Sequence, residues 1–232
     1  MTTFGLVHGA WHGGWCWDLL VPELERRGHE AVAPDLPIDD ALAGHAEYAR
    51  TVVDALAGRD DNVVLVGHSM GTLVIPLVAA ARPVRGMVFL CGVPLVPGVT
   101  VGLDFSGMVS DEVAHAVRFR DESGRDMYDN ATARRFFFHD CDDALASWAV
   151  ARLRPQGPRP LTEPSPLVEW PAAPFAVVLT DDDRVVNSSW AATTAKEWLG
   201  RDAVVMPGSH SPFLSHPAEL ADVLVEVGAG LV

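Results

Sequence analysis

Four aliphatic residues, Val63 to Val66, run into Gly67-His68-Ser69-Met70-Gly71 and then into an apolar stretch from Leu73 to Ala81. An unbroken aliphatic run before a glycine predicts a strand covered on both faces, as in a parallel sheet. The five residues after it fit G-x-S-x-G, which places a serine on a tight strand-to-helix turn with its side chain clear of the sheet. Glycines flank the serine because such a turn brings backbones too close for a Cβ. The residues from Leu73 to Ala81 are apolar nearly all round, as for a helix packed under a sheet. Pro76 in its second turn predicts a kink and a lost hydrogen bond to the Thr72 carbonyl.

The rest of the chain repeats the strand-then-helix rhythm. Thr3 to Val7 reads as a first strand, Trp17 to Arg27 as a helix stopped by Gly28, and Glu30 to Ala33 as a second strand. Ala41 to Ala57 reads as a helix and Gly86 to Leu90 as another strand. Phe175 to Leu179 and Ala203 to Met206 are late strands, with a serine-capped helix over Ser188 to Leu199 between them and a closing helix from Pro217. Alternating strands and helices predict a parallel, doubly wound α/β sheet. At 232 residues the chain suits one such domain, with 1–93 and 175–232 as the core. Residues 94–174 hold nine of the 17 prolines and no clear strand, which marks an inserted helical lid after Leu90. Its helix-like segments are Asp111 to Phe119 and Asp142 to Arg152, and Phe136, Phe137, Phe138 and Trp148 are expected to supply bulky surface.

Charge and cysteines narrow the partners. Seventeen basic against 31 acidic residues leave a net charge of −14, which disfavours nucleic acid and anionic membranes. Cys16, Cys91 and Cys141 are odd in number and widely spaced, so they form neither a disulfide framework nor a metal knuckle. No apolar run approaches the ~20 residues that span a bilayer, and no leader pattern precedes the first strand. A cytoplasmic protein is expected.

A serine hydroxyl is a weak nucleophile near neutrality and needs a base, which in turn needs an orienting acid. Ser69, an acidic cluster at Asp181, Asp182 and Asp183, and His210 follow in that order, each at the carboxyl end of an expected strand. His210 sits in the turn-rich Pro207-Gly208-Ser209-His210-Ser211-Pro212. His8 and His12 fall in the glycine-rich loop after the first strand, His68 reads as structural, His216 as a surface or capping group, and His139 as solvated. That loop can present a backbone N–H that, with the one after the nucleophile, forms an oxyanion hole, and Ala10 and Met70 are the two expected donors.

Over its full length the chain resembles the α/β-hydrolase superfamily. More narrowly it resembles the branch of plant methyl esterases, hydroxynitrile lyases and small bacterial esterases. The resemblance rests on His8-Gly9-Ala10-Trp11-His12-Gly13-Gly14-Trp15-Cys16-Trp17, Pro34-Asp35-Leu36-Pro37, Gly67-His68-Ser69-Met70-Gly71, the Asp183 segment and Gly208-Ser209-His210. It implies Asp183 as the acid. It implies a carboxylic-ester hydrolase that takes a small-molecule ester and uses no metal or organic cofactor; Gly9, Trp11 and Ser211, with the lid aromatics Phe138 and Trp148, are the expected pocket residues. Resembling lyases carry threonine where this chain has Gly9 and lysine where it has Ser211. A lyase or tailoring enzyme and a receptor-like ligand binder are the alternatives, and a homodimer is left open.

Overall fold

The aliphatic run before Gly67 lies inside the sheet, and every residue from Val63 to His68 is buried. The computed structural model describes residues 1–92, 94, 97, 98, 100 and 107–231. Its strands are β1 (Thr3–Val7), β2 (Glu30–Val32), β3 (Val63–His68), β4 (Gly86–Leu90), β5 (Phe119–Arg120), β6 (Asp126–Met127), β7 (Phe175–Thr180) and β8 (Val204–Met206). Six of them pair in the order β2-β1-β3-β4-β7-β8, each neighbouring pair parallel. The chain steps outward from β1 to β2, then returns past β1 to β3 and proceeds the other way. The loop after β1 and the turn after β3 therefore leave the same carboxyl edge beside one another, at the reversal where such sheets bind ligands.

Side-chain alternation along β1 and β3 requires cover on both faces. On one face Gly228, in the helix Pro217–Gly230, approaches Val64 and Phe4. On the other, Leu56, just past the helix His45–Ala55, lies over Gly5 and Leu65.

The segment after Ser69 departs from the expected single helix. A 3-10 turn at Ser69–Leu73 precedes a separate helix, Ile75–Ala81. Pro76 thus falls in a first turn, where the missing N–H has no intrahelical partner to lose. The helix after Asp18 begins at Leu20, after a 3-10 turn at Gly14–Trp17. Asn187, not Ser188, caps the helix Ser188–Leu199, its Oδ1 accepting from the Trp190 N–H at 3.1 Å.

Between β4 and β7 the expectation of no strand gives way to the antiparallel pair β5–β6, in which Arg120 faces Asp126. The helix expected to reach Phe119 ends at His115. Further helices span Asn130–Phe137, Asp143–Val150 and Arg159–Thr162. The first is capped by Asp129, whose Oδ1 accepts from Ala131 and Thr132, and it turns Phe136 and Phe137 inward. Phe136, Phe137 and Phe138 are buried rather than surface groups. Part of the stretch expected as a lid, at 95, 96, 99 and 101–106, lies outside the described residues. Among the described residues no helix is long and apolar enough to cross a membrane, and Cys16, Cys91 and Cys141 are unbridged.

Candidate active site

Ser69 leaves β3 with φ at +50°, a left-handed conformation that a non-glycine residue adopts only under constraint. The constraint is steric. A Cβ on Gly67 would lie 2.5 Å from the Gly71 carbonyl oxygen, and one on Gly71 would lie 2.4 Å from that of Val7. Ser69 lines a cavity of about 350 Å³ together with Ala10, Trp11, Met70 and Cys91.

Asp183 and His210 pair near the serine turn, where the His210 ring packs on that of His68. Asp183 Oδ2 accepts from His210 Nδ1 at 2.8 Å, while Oδ1 accepts from the Val185 and Val186 N–H groups at 2.8 and 2.9 Å. Both side chains are only 2% exposed. With Nδ1–H donating to the carboxylate, Nε2 is the ring nitrogen left facing away from Asp183. The other two aspartates brace loops: Asp181 accepts from the Gly208 N–H at 3.1 Å, and Asp182 pairs with His139 Nε2 at 3.0 Å. His139 is thus largely buried against Asp182 rather than solvated.

His68 Nε2 donates to the His210 carbonyl at 2.7 Å, and the two rings pack 4.7 Å apart. The residue before the serine thereby fixes the backbone of the histidine. His8 Nδ1 donates to the Gly9 carbonyl at 2.9 Å while its Nε2 accepts from the Leu36 N–H. His12 Nδ1 donates to the Ala10 carbonyl at 2.8 Å. In a trans peptide N–H and C=O point in opposite directions, so a Gly9 carbonyl held by His8 sends the Ala10 N–H the other way.

Burial keeps these histidines neutral. It lowers His8 to about 4 and His12 to about 3, and it drives His68 well below the usual 6.5. Near pH 7 and above neither state binds these protons. Below about pH 6.5 the unfolded chain takes up protons that the folded one refuses, so stability falls with pH until the folded groups also titrate. Each group contributes up to ~1.4 kcal/mol per pH unit in that window. Urea midpoints should therefore fall steeply between pH 6.5 and 5, and a flat profile would contradict three buried neutral imidazoles.

Cys91 lines the same cavity, with φ at +50° and Sγ 3.6 Å from Thr180 Oγ1. Burial, then the Asp183 charge, pushes its thiol up, so it stays protonated. His68, Cys91 and His210 offer ligand atoms within 4.8 Å of one another. His68 Nε2 and His210 Nδ1 already have partners there, the His210 carbonyl and Asp183.

Two adjacent residues past the helix Asn130–Phe137 hold the flanks of the acid–histidine pair. His139 binds Asp182, the neighbour of Asp183, and Asp140 Oδ2 accepts from the N–H of Ser209, the neighbour of His210, at 2.9 Å. Burial works to raise the Asp140 carboxyl, but hydrogen bonding from Ser209 outweighs it and holds it below the usual range. Asp140→Ala should lower kcat about tenfold with a smaller change in KM, read from steady-state rates, because it loosens the histidine loop without touching the cavity.

Of the pocket residues expected from sequence, Trp11 lines the cavity. Gly9, Phe138, Trp148 and Ser211 are not among the lining residues described. Gly9 backs the serine turn, and a Cβ on it would lie 3.0 Å from Ser69 Cβ and 2.8 Å from His68 Nδ1. Phe138 packs on His12, and Trp148 packs between Trp15 and Arg152. Ser211 is buried. His216 lies beside Asp140, 3.7 Å from Oδ2, half-buried. The walls instead come from Met108, Val113, Val185, Tyr128, Gln156 and Leu161. Nothing in residue spacing ties positions 113, 128 and 156 to position 69, so sequence reasoning had no signal for them.

A left-handed serine, a buried aspartate–histidine pair and a cavity lie at the reversal of a parallel sheet, an arrangement like that of the nucleophile-elbow hydrolases. Residues 6–223 match the alpha/beta hydrolase family, to which the chain belongs. A pyrethroid hydrolase of Sphingobium wenxiniae is 30% identical over 97% of this chain and 87% of its own length. A putative chloroplastic methylesterase of Arabidopsis thaliana is 26% identical over 97% of this chain and 71% of its own. Among solved structures, a pyrethroid hydrolase from Sphingobium faniae superposes with a TM-score of 0.81 at 27% identity, covering 98% of this chain and 97% of that one. An Arabidopsis methylesterase shares the fold at TM-score 0.79 and 22% identity, with both chains covered in full.

Proposed function

We propose that the protein hydrolyses small carboxylic esters through an acyl-enzyme on Ser69. The observation that carries this reading is the Asp183–His210 pair, hydrogen-bonded at 2.8 Å with both carboxylate oxygens in use. His210 takes the Ser69 proton at Nε2 as the hydroxyl attacks the ester carbonyl, and returns it to the leaving alkoxide. Water then enters by the same route, and the acid is released. Asp183 holds the imidazolium that forms, and the Ala10 and Met70 amides receive the oxyanion, where one such donor accounts for roughly 10²–10³ in rate. The esterase and hydrolase names of the relatives support the same chemistry. Residues 94–174 act in this reading as a cap whose inner face shapes the cavity.

A lyase reading is less well supported, because Gly9 and Ser211 stand where resembling lyases carry threonine and lysine. Proton release in a pH-stat against short-chain and aromatic methyl esters tests the proposal. Acid production by the wild type that is absent from Ser69→Ala supports it, and a folded protein silent across the panel overturns it.

A further inference from the structure

Two cations, Arg118 and Arg120, line the cavity that holds Ser69, alongside apolar walls such as Met108 and Val185. The alternation Arg118-Phe119-Arg120 puts both arginines on one face of an extended chain and Phe119, which is exposed, on the other. Asp126, on the paired strand β6, faces them. Its Oδ2 lies 3.3 Å from Arg118 Nε and 3.8 Å from Arg120 Nη2, so those two nitrogens are at most about 7 Å apart. The Arg118 guanidinium also lies 5.9 Å from the centre of the Tyr128 ring, another wall of the cavity. The arginine side chains are 39% and 64% exposed, so neither is sealed into the protein.

The charges here do not cancel. Two guanidiniums bring two positive charges and more N–H donors than one carboxylate can occupy. Asp126 brings a single negative charge, and its Oδ1 already accepts from Trp11 Nε1 at 3.3 Å. Among the described residues no other carboxylate lies within ion-pair distance of either arginine, and Asp121, on the turn between β5 and β6, is taken by Arg125. Elsewhere Arg26 and Arg27 share Glu23 but have Asp222 as well. In a chain of net charge −14, an uncompensated cation in a cavity wall runs against the overall field, and the walls focus its own field inward.

We propose that Arg118 and Arg120 form a carboxylate subsite, so that the preferred substrate is a monoester of a dicarboxylic acid, with its ester carbonyl at Ser69 and its free carboxylate bridging the two guanidiniums. The inference rests on the ester-hydrolase reading and adds the substrate class to it. One residue joins the oxyanion loop to the subsite: Trp11 follows Ala10, and its Nε1 donates to the Asp126 carbonyl at 3.0 Å. Ester and carboxylate are therefore separated by about the length of a tryptophan side chain.

The test uses monomethyl esters of the linear dicarboxylic acids from succinate to suberate, each beside the neutral methyl ester in which a carboxamide replaces the carboxylate. The two esters of a pair have the same size, so the ratio of their kcat/KM reads the charge. At the chain length that fits, wild type should favour the carboxylate about tenfold or more. The preference should shrink as salt rises from ~0.01 to ~1 M, because the arginines are solvent-exposed. Arg118→Gln or Arg120→Gln leaves one guanidinium to one carboxylate and should bring the ratio to one or below. Asp126→Asn keeps an acceptor for Trp11, frees both guanidiniums and should raise the ratio, a direction that a purely structural role does not give. If that variant fails to fold, the two arginine variants decide. A wild-type ratio near one or below at every length, a ratio unchanged in both arginine variants, or one lowered in a folded Asp126→Asn overturns the subsite, and cleavage of p-nitrophenyl acetate alongside leaves the esterase standing. Silence on every ester overturns both.

Discussion

Ser69→Ala is expected to lower kcat/KM for a small methyl ester by roughly 10⁵-fold or more, the scale seen when a triad serine is removed. The group lost is the only atom that bonds covalently to the substrate in the proposed path, so no neighbour substitutes for it. Cys91 lines the same cavity but is held as a thiol by burial and by Asp183. Alanine keeps the Cβ and so keeps the +50° strain at this position. The variant's melting temperature should stay within about 2 °C of wild type, since the change is worth under ~0.5 kcal/mol to the fold. Assay and thermal scan together separate loss of chemistry from loss of structure. Turnover within tenfold of wild type in a folded Ser69→Ala would remove Ser69 from the mechanism.

Gly71→Ala is expected to have the largest effect on stability. Its Cβ would lie 2.4 Å from the Val7 carbonyl oxygen and 3.0 Å from that of His8. Those atoms are backbone at the end of β1, whose neighbouring strand β3 pairs Val7 with Gly67. A flexible side chain could move aside, but here a strand of the central sheet must shift. A cost of about 4 kcal/mol follows, which lowers the melting temperature by roughly 8–16 °C at this chain length or leaves the protein insoluble. Gly230→Ala is the matched control. Nothing lies within 4 Å of the added Cβ at the end of the closing helix, and its melting temperature should match wild type. Equal stability of the two variants would show that the turn tolerates a wider geometry than the one described.

The parts legible in sequence were those encoded locally. Val63 to Val66, the paired glycines around Ser69 and the turn at Gly208 each carry their own steric or hydropathic signature within a few residues. The elbow and the succession of core strands along the chain could therefore be read directly. Pro76 misled because its effect depends on where a helix begins, and the 3-10 turn at Ser69–Leu73 moved that start. Phe136 to Phe138 look like exposed bulk in an acid-rich stretch. Only the Asp129 cap and the helix it starts show that two of the rings turn toward Trp11 and Tyr128. The cavity walls had no local signature at all. Trp11 and Asp126 meet across 115 residues of chain, and such pairings follow from the fold rather than from spacing.

The pair His139–Asp140 bears on how such enzymes can be recombined. It belongs to the stretch between β4 and β7, yet it grips the loops that carry Asp183 and His210. Exchanging that stretch with a relative's, the obvious route to a new specificity, would also exchange the fasteners of the proposed acid and base. A chimera would keep its serine and lose alignment unless the histidine–aspartate dipeptide travelled back with the host. A junction that ends before residue 139 keeps those contacts with the host and exchanges the walls at Met108, Val113 and Tyr128, while Gln156 and Leu161 stay with the core.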